Sequence, residues 1–534
     1  MLEIIPKEIK DKEEQNKLIL TLLQELLNRK EKEIIENNSE LRNFFKNTYN
    51  LNQFVEELYN FWRNFERYFV LLSEKEKGHN YHEKPYRSFN LTLEKLNDLV
   101  RGSYRDICEN ITSDHPRVYR QVPAGFGVGI IASESRISLP KEFLKLNDIH
   151  CIRQVLIEPP LILNPSMNKR SGSFREIKEN PINRINLDSY EWLCFPAKVG
   201  ELIIHVFFHY KFIGLGTSLA NLFDLVGEDE IEKKPDAIYL FGVDEEHIKE
   251  YGEPQTIFYD DEKNDLLVGF VSRKDEYGYF GYAKKMVLTL HNIACMKKGR
   301  MPVHGAMVRV ELKNRTRKNI VVIGDSGAGK SESLEAFRTL SQEHLRDMRI
   351  IFDDMGSLSI ENNELKAYGT ETGAFVRLDD LHPGFVYGNL DRSIIMNPDK
   401  INARAILPIT TLKEVTEGQK VDMILYANNY EVVEDKNFLS YFENWKDAFV
   451  VFKEGKRMAK GTTTEIGLTK SYFANPFGPH QYKNLHEEIA EKFFKFFFEK
   501  NIEVGEIRTM LGIKGFESKG PEQAAKALFK SISE

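Results

Sequence analysis

One segment constrains the fold of this chain more than any other: a run of apolar β-branched residues, Ile320-Val-Val-Ile323, followed at once by a glycine-rich loop. The loop reads Gly324-Asp-Ser-Gly-Ala-Gly-Lys330-Ser331 and continues into Glu332-Ser-Leu-Glu-Ala-Phe337, which favours a helix. A strand, a glycine loop and a helix in this order form the P-loop pattern. The N–H groups of such a loop and the positive end of the helix dipole both attract phosphate oxygens. The segment therefore predicts a nucleotide-binding site in an α/β protein.

The P-loop pattern also assigns roles to single residues. Lys330 reaches the β- and γ-phosphates, and Ser331 offers its hydroxyl to Mg²⁺. A second predicted strand, residues 348–352, ends at Asp353 and Asp354, where such a protein needs a carboxylate for the metal ion of the nucleotide. An aspartate pair after a strand is also common in turns, and it gains weight here because it follows the loop. We expect nine consecutive residues to contact the nucleotide or its ion: Gly324, Asp325, Ser326, Gly327, Ala328, Gly329, Lys330, Ser331 and Glu332.

Composition sets outer limits on the function. With 534 residues, of which 41% are hydrophobic, the chain can bury a sizeable core. Its formal net charge of -7 argues against nucleic acid as a partner, because no whole-protein field attracts a phosphate backbone. The chain shows neither a signal-peptide pattern nor an apolar run of about 18 residues, so we expect a cytoplasmic protein without a membrane partner. The scattered cysteines predict reduced, mostly buried thiols: Cys108, Cys151, Cys194 and Cys295.

The pattern of residues changes along the chain. Residues 12–72 show a helical spacing of apolar residues, and their aromatic side chains are expected to pack between helices: Phe54, Tyr59, Phe61, Trp62 and Phe65. A polar stretch at 74–87 and a Pro- and Gly-containing segment at 116–129 are the predicted boundaries. Beyond them, short apolar runs predict strands that alternate with turns and helices: 201–208, 237–241 and 266–271. The predicted fold class is α/β, of the mixed α+β kind, with a helical N-terminal module.

Several segments around the P-loop match, in the same order, the motifs of one enzyme family. A lysine pair in Tyr282-Ala-Lys284-Lys285-Met286 precedes the histidine of Met301-Pro-Val-His304, at the family's separation of 304 − 285 = 19 positions. Four segments follow the loop and the aspartate pair: Glu371-Thr-Gly-Ala-Phe-Val-Arg377, Asn402-Ala-Arg404-Ala-Ile-Leu-Pro-Ile409, Glu454-Gly-Lys-Arg-Met-Ala459-Lys460-Gly-Thr-Thr-Thr464-Glu465 and Asn475-Pro-Phe-Gly478. Over 266–478 the chain thus resembles ATP-dependent phosphoenolpyruvate carboxykinase. Upstream, Lys169-Arg170-Ser171 could stand for the family's substrate-binding segment.

This resemblance implies a domain plan and an activity. The implied domains are a helical module at 1–115, an α/β substrate-side domain at 116–270 and a carboxykinase-like P-loop domain at 271–534. The implied reaction converts oxaloacetate and ATP into phosphoenolpyruvate, CO₂ and ADP. The implied ligands are therefore a nucleotide, a small dicarboxylate, Mg²⁺ and a second ion expected to be Mn²⁺.

The resemblance also implies metal ligands. Lys285, His304 and Asp354 would bind the second ion, while Ser331 and the aspartate pair Asp353 and Asp354 would face the ion of the nucleotide. A lysine can ligate a metal only as a neutral amine, so the pKa of Lys285 would have to fall. Singly, His304 would more often be a structural histidine and a lysine pair would more often be solvated. Their joint spacing ahead of the P-loop favours the ligand role.

The remaining implied site residues face the nucleotide or the acceptor. Arg404 would neutralise charge on the moving phosphoryl group, although a lone arginine is more often an ion-pairing residue. Three side chains would hold the carboxylate or CO₂ end of the substrate: Arg170, Tyr279 and Lys284. Arg377 and Thr464 would lie on the nucleotide side.

Departures from the family pattern leave two other functions open. The loop sequence GDSGAGKSE is closer to that of the kinase that phosphorylates the carrier HPr, a structural relative, than to the carboxykinase loop. The family's glycine pair is reduced to Gly373, Arg377 stands in a lysine place, and the C-terminal LVNTGW segment is missing. The first alternative is a kinase of a protein or small-molecule hydroxyl, with the N-terminal helices as a docking element for a protein partner. The second is a nucleotide-binding regulatory protein without turnover.

Overall fold

In a computed structural model the chain is a mixed α/β protein, described for residues 11–73, 85–135, 137–340, 344–378, 388–433, 437–459 and 467–533. It forms two compact units, which we call the first unit (Met1–Ala132 and Gln154–Leu161) and the second unit (Ser133–Arg153 and Ile162–Glu534). The predicted three-domain division, with boundaries at 116 and 271, stays a prediction.

The helices and strands are numbered here in chain order. The described α-helices, α1 to α11, are Lys12–Leu26, Glu31–Asn37, Thr48–Asn64, Pro85–Thr112, Ile213–Thr217, Phe280–Lys297, Lys330–Leu340, Leu412–Thr416, Trp445–Glu454, Lys483–Glu499 and Lys519–Ser533. Strands β1 to β12 are Tyr68–Ser73, Val128–Ser133, Cys151–Ile157, Leu161–Leu163, Arg175–Ile177, Trp192–Val199, Leu202–His209, Asp224–Leu225, Ala237–Val243, Thr256–Asp261, Leu266–Ser272 and Met301–Leu312. Strands β13 to β24 are Arg317–Ile323, Leu345–Glu361, Glu364–Gly369, Gly373–Arg377, Ile394–Met396, Arg404–Pro408, Gln419–Lys420, Met423–Asn428, Leu439–Tyr441, Lys456–Met458, Leu468–Lys470 and Glu503–Arg508.

The first unit is built mainly from α1 to α4. Helix α1 begins after Asp11, whose side chain accepts a hydrogen bond from the backbone N–H of Glu13 and so caps the helix. Apolar side chains of these helices meet in one core, which includes Leu26, Leu51 and Ile107. The helices predicted for the N-terminal module are therefore present in the first unit.

Two predictions for this region are wrong. The helical run does not extend to residue 72, because Tyr68–Ser73 forms strand β1. The aromatic side chains are not all in the core, because Phe61 and Phe65 are 63% and 59% exposed. Helix α3 buries Leu51 and Val55, and the helical repeat places Phe61 on a different face. The two phenylalanine rings contact each other there instead, with centroids 5.3 Å apart.

In the second unit, one sheet includes the strand order β6-β7-β9-β11-β10-β5. Strands β7, β9 and β11 run parallel to one another, and all their residues are buried. Continuous apolar runs of this kind are expected where a parallel sheet is covered on both faces. The three strands predicted from such runs are thereby confirmed.

Helix α6 lies between this sheet and the next one. It contacts β7, β9 and β11 on one side and β12 and β14 on the other, and 16 of its 18 residues are buried. A helix that is apolar almost all round belongs in the interior of a protein. Lys284 and Lys285 lie in its second turn and Tyr279 directly precedes it, so a buried helix positions three of the predicted site residues.

The second sheet has the order β19-β15-β14-β12-β13-β20-β24-β21, in which β13, β20 and β24 are parallel. The predicted strand before the glycine loop is β13, and the predicted helix after it is α7. The predicted end of the next strand is wrong, because β14 does not stop at residue 352. It runs on through Asp353 and Asp354, which pair with Ala306 and Gly305 of β12, and then pairs with β15 from Gly356 onward.

Two small sheets complete the second unit. One has the order β16-β18-β17-β4 and places Arg377 directly opposite Arg404 on antiparallel neighbours. The other is the hairpin of β22 and β23.

Two predictions about the whole chain can be checked on the described residues. None of their helices is long and apolar enough to cross a membrane. Cys151, Cys194 and Cys295 are buried free thiols and Cys108 is a partly buried one, as predicted.

Candidate functional site

The glycine loop, residues 324–329, connects the end of β13 to the start of α7. Its conformation depends on glycine, because Gly327 and Gly329 have φ angles of 76° and 90°, in the left-handed region. A Cβ atom at Gly329 would also come within 2.5 Å of the Thr509 hydroxyl oxygen. The side chain of Thr509 donates a hydrogen bond to the carbonyl of Ala328 at 2.7 Å. The loop is therefore packed tightly against a residue that lies after β24.

Lys330 is folded back onto this loop. Its ammonium donates to the carbonyls of Gly324 at 2.6 Å and Asp325 at 3.2 Å, and the residue is only 8% exposed. A phosphate group in the loop would compete for the same ammonium, as the P-loop pattern requires. Ser331 follows in the first turn of α7 and is exposed, so its hydroxyl is accessible to a ligand.

Asp325, expected to contact the nucleotide, has its side chain turned to another partner. The carboxylate accepts hydrogen bonds from Arg457 Nε at 2.8 Å and from the Ser471 hydroxyl at 3.0 Å. Both members of the Asp325–Arg457 pair are buried, at 4% and 3% exposure. Its side chain thus supports the loop, and any contact of Asp325 with a nucleotide would have to come from its backbone.

The second predicted carboxylate, Asp354, lies between two basic side chains. Its Oδ2 is 2.5 Å from Lys284 Nζ, and its Oδ1 is 3.0 Å from His304 Nε2. Burial alone would raise the pKa of Asp354, but the charge of Lys284 and the hydrogen bond to His304 outweigh it and hold the pKa well below its usual range. The backbone of Asp354 has φ 86°, a strained conformation for a non-glycine residue.

His304 is oriented by a second contact. Its Nδ1 hydrogen-bonds to the carbonyl oxygen of Ala474, which can only accept, so Nδ1 carries a proton. The other ring nitrogen is therefore the one directed at Asp354. A backbone carbonyl that fixes one ring nitrogen is typical of metal-binding histidines, and Nε2 is the nitrogen that such an ion would have to bind.

Lys284 is almost completely buried, at 1% exposure, and lies between two carboxylates. Besides Asp354, its ammonium is 2.9 Å from Glu371 Oε1. Burial would lower the pKa of Lys284, but these two carboxylates raise it above its usual value. The predicted role of Lys284 as a substrate ligand stays a prediction, since its ammonium already has two carboxylate partners.

Glu371 is a site residue that sequence reasoning missed as a functional candidate. It is 2% exposed, and burial raises its pKa to about 8 against the opposing charge of Lys284. The only sequence feature that pointed to Glu371 was its place at the start of the matched segment 371–377.

Lys285 lies in a different environment from its neighbour. Its ammonium lies 4.8 Å from the centre of the Phe477 ring. Burial and the charge of Arg170 lower the pKa of Lys285 to about 8, and Asp354 only partly opposes the shift. A lysine amine that deprotonates this readily can act as a ligand near neutral pH.

Two arginines approach Lys285 and Tyr279. Tyr279 is 5% exposed, and burial raises its pKa while the charges of Arg404, Lys284 and Arg170 oppose the shift. The Nε atoms of Arg170 and Arg404 are buried and have no hydrogen-bond partner in the described part of the chain. Their guanidinium groups lie over the rings of Phe174 and Phe375, at 5.0 and 5.5 Å.

The segment that carries Arg170 is attached to α6. The hydroxyl of Tyr282 accepts from the backbone N–H of Ser171 at 3.1 Å and donates to its carbonyl at 3.2 Å. The upstream segment Lys169-Arg170-Ser171 therefore lies next to the helix that carries the lysine pair. Sequence separation hid this proximity, since more than 100 residues lie between Ser171 and Tyr282.

The structure brings most of the predicted residues into one group in the second unit. Electrostatic interactions connect Asp353 with Asp354, Lys330, Lys284 and His304, which joins the acidic pair to the glycine loop. Thr464 lies outside the described residues. In the described part of the chain, no three His, Cys, Asp or Glu side chains form a cluster that could hold a metal ion. A metal site here would therefore depend on Lys285 as a third ligand.

Two comparisons of this chain with known proteins found no match. No protein-family model matches the chain, and a search of curated proteins finds no match.

Proposed function

We propose that this chain is an ATP-dependent phosphotransferase of the phosphoenolpyruvate carboxykinase fold, which converts oxaloacetate and ATP into phosphoenolpyruvate, CO₂ and ADP. One observation carries the proposal. Two arginines, Arg170 and Arg404, interact electrostatically with both Tyr279 and Lys285, and Lys285 in turn interacts with Asp354. Among the described residues, the buried Nε atoms of these two arginines have no hydrogen-bond partner.

The donor side of the proposed site is the glycine loop. Its left-handed glycines and the start of α7 would supply N–H groups to the phosphates, and Lys330 adds a buried positive charge. The ammonium of Lys330 would exchange its two carbonyl partners for phosphate oxygens.

The acceptor side is the pair of arginines, Arg170 and Arg404. A buried arginine Nε without a hydrogen-bond partner is unfavourable, so two such arginines are expected where a ligand supplies negative charge. Oxaloacetate brings two carboxylates, whereas an alcohol or a serine side chain brings none. The charge of the site thus favours an anionic acceptor over a neutral hydroxyl.

The residues also fit the second metal ion that the resemblance implies. His304 directs Nε2 toward Asp354, and the low pKa of Lys285 makes its neutral form accessible. An imidazole, a carboxylate and an amine form a borderline donor set that is consistent with Mn²⁺. When bound, such an ion would supply Lewis-acid stabilisation of developing negative charge.

The protein side chains would carry out the rest of the reaction by position and charge. The bond between the β-carbon and its carboxyl group breaks, CO₂ leaves, and the enolate oxygen then bonds to the γ-phosphorus as ADP departs. Lys330 would hold the phosphates, and Arg404 would neutralise charge that develops on the transferred group. Arg170 and Tyr279 would orient the carboxylate that remains on the product.

One observation favours a second candidate, a kinase that acts on a hydroxyl group. Burial and the neighbouring Asp354 raise the pKa of Asp353. A carboxylate with a raised pKa next to a phosphate site is a better general base, which a hydroxyl acceptor needs and an enolate acceptor does not. The HPr-kinase-like loop sequence agrees with this alternative.

One experiment separates these functions. The purified protein is incubated with γ-labelled ATP, Mg²⁺, Mn²⁺ and oxaloacetate, and phosphoenolpyruvate is measured by mass spectrometry. Lys330→Ala should abolish product, whereas Lys233→Ala, whose side chain is 60% exposed, should not. Label on a protein or an alcohol without phosphoenolpyruvate would replace the carboxykinase proposal by the kinase. ATP binding without any transfer would favour a regulatory protein.

A further inference from the structure

The glycine loop is connected to the β22–β23 hairpin by a buried ion pair. Arg457 of β22 donates from Nε to Asp325 Oδ2 at 2.8 Å, and from Nη1 to the carbonyl of Ser326 at 3.3 Å. Ser471, which follows β23, donates to the same carboxylate oxygen at 3.0 Å. Both ends of the hairpin thus attach to the second residue of the loop.

A buried asparagine provides a second connection. Asn429, which is 0% exposed, donates from Nδ2 to the carbonyls of Gly327 at 2.9 Å and Met458 at 3.0 Å. Its Oδ1 accepts from the backbone N–H of Met458 at 2.8 Å. Two neighbours on β22 are therefore joined to the loop. Arg457 contacts it directly, and Met458 is connected to it through the side-chain amide of Asn429.

The same hairpin reaches the predicted metal ligand. Ala474, three residues beyond Ser471, accepts the hydrogen bond from His304 Nδ1. Asp325 Oδ1 lies 3.7 Å from that same nitrogen. The ion pair thus lies where the phosphate loop, the hairpin and the histidine meet.

A loop with three glycines in six residues is flexible when unsupported, and ordering it on binding lowers affinity. We propose that Arg457 is a positioning residue: its pairing with Asp325 holds the backbone of the glycine loop, before any ligand arrives, in the shape that accepts a polyphosphate. This inference rests on the proposed nucleotide site, and it assigns a role to a residue that would not itself touch the reacting atoms.

A buried ion pair is weak evidence for stability, because an apolar pair of similar volume often stabilises a fold equally well. The pair can therefore be replaced in a way that separates support of the fold from support of the ligand site. The double variant Asp325→Leu with Arg457→Met removes both charges together, so no unpaired charge is left buried. Arg457→Lys keeps the charge but loses the two-armed contact with Asp325 and Ser326.

The test measures two quantities on the full chain: binding of Mg²⁺-tripolyphosphate and Mg²⁺-ATP by calorimetry, and thermal melting. We expect the double variant to melt within a few degrees of the wild type but to bind both ligands about tenfold more weakly, with Arg457→Lys in between. Tripolyphosphate has no base or ribose, so an equal loss for both ligands locates the effect at the loop.

Wild-type affinity for tripolyphosphate in the folded double variant would overturn the inference, and the pair would then be purely structural. Failure of the wild type to bind either ligand would overturn both the inference and the proposed nucleotide site. Binding of ATP that depends on Arg457, without transfer to any acceptor, would refute the proposed reaction but support the inference.

Discussion

Removal of Lys284 tests how the buried charges of the site depend on one another. Lys284 is 1% exposed and lies 2.5 Å from Asp354 and 2.9 Å from Glu371. The variant Lys284→Met keeps the length of the side chain but leaves two carboxylates without their shared cation. Breaking a buried pair by removing one partner destabilises a protein by about 3–5 kcal/mol. We expect a loss of that size at pH 8.5.

The loss of unfolding free energy caused by Lys284→Met should be smaller at lower pH. The sign of this pH dependence follows from the pKa of Glu371. Its folded pKa of about 8 is raised above the unfolded value of 4.5. Between these values the folded state holds a proton that the unfolded state has released, so the contribution of Glu371 to stability is complete below pH 4.5 and is lost as the pH rises through 8. Without Lys284 the pKa of Glu371 should rise further. Glu371 would then be neutral at pH 5.5 in both proteins, and the variant would continue to lose stability above pH 8, where the wild type no longer does.

The assay is urea unfolding of the wild type and the variant at pH 5.5 and pH 8.5. Lys298→Met is a matched control, because Lys298 is 49% exposed and pairs with Asp236 at 2.7 Å on the surface. This variant should lose less than about 1 kcal/mol of unfolding free energy at either pH. Equal stability of Lys284→Met and wild type at pH 8.5 would refute the buried-charge reasoning. A loss that is independent of pH would show that Glu371 does not titrate as described.

The remaining predictions concern the proposed reaction. Lys330→Ala should abolish phosphoryl transfer with an unchanged melting temperature, and near-normal turnover in the folded variant would exclude the phosphate role of the loop. His304→Ala should weaken Mn²⁺ activation more than ATP binding, measured by parallel titrations; wild-type Mn²⁺ activation would return His304 to a structural role. Arg404→Ala should lower kcat far more than Arg170→Ala, which should mainly raise KM for oxaloacetate, and the reverse order in steady-state kinetics would contradict the assignment. Because the pKa of Lys285 is about 8 and only the neutral amine ligates, Mn²⁺ affinity should fall by up to about tenfold per unit as the pH drops below 8; flat affinity between pH 6 and 9 would remove Lys285 from the metal site.

Local sequence determined the parts of the site that are continuous in the chain. The strand, the glycine loop and the helix at 317–340 follow from short-range pattern, because β-branched runs, left-handed glycines and a helix start each depend on neighbouring residues. The buried parallel strands β7, β9 and β11 were predictable for the same reason. A buried strand of a parallel sheet is apolar along its whole length.

Tertiary structure decided which of these residues meet. Arg457 lies 132 positions after Asp325, and nothing in the local sequence of either marks them as partners. Strand β14 continues through Asp353 and Asp354 because β12 and β15 supply ladder partners there, which a turn-like aspartate pair does not indicate. The two lysines of α6 look equivalent in sequence, yet Lys284 lies between two carboxylates and Lys285 against an aromatic ring. Their pKa values shift in opposite directions for that reason, since the charge of a buried group depends on its neighbours in space.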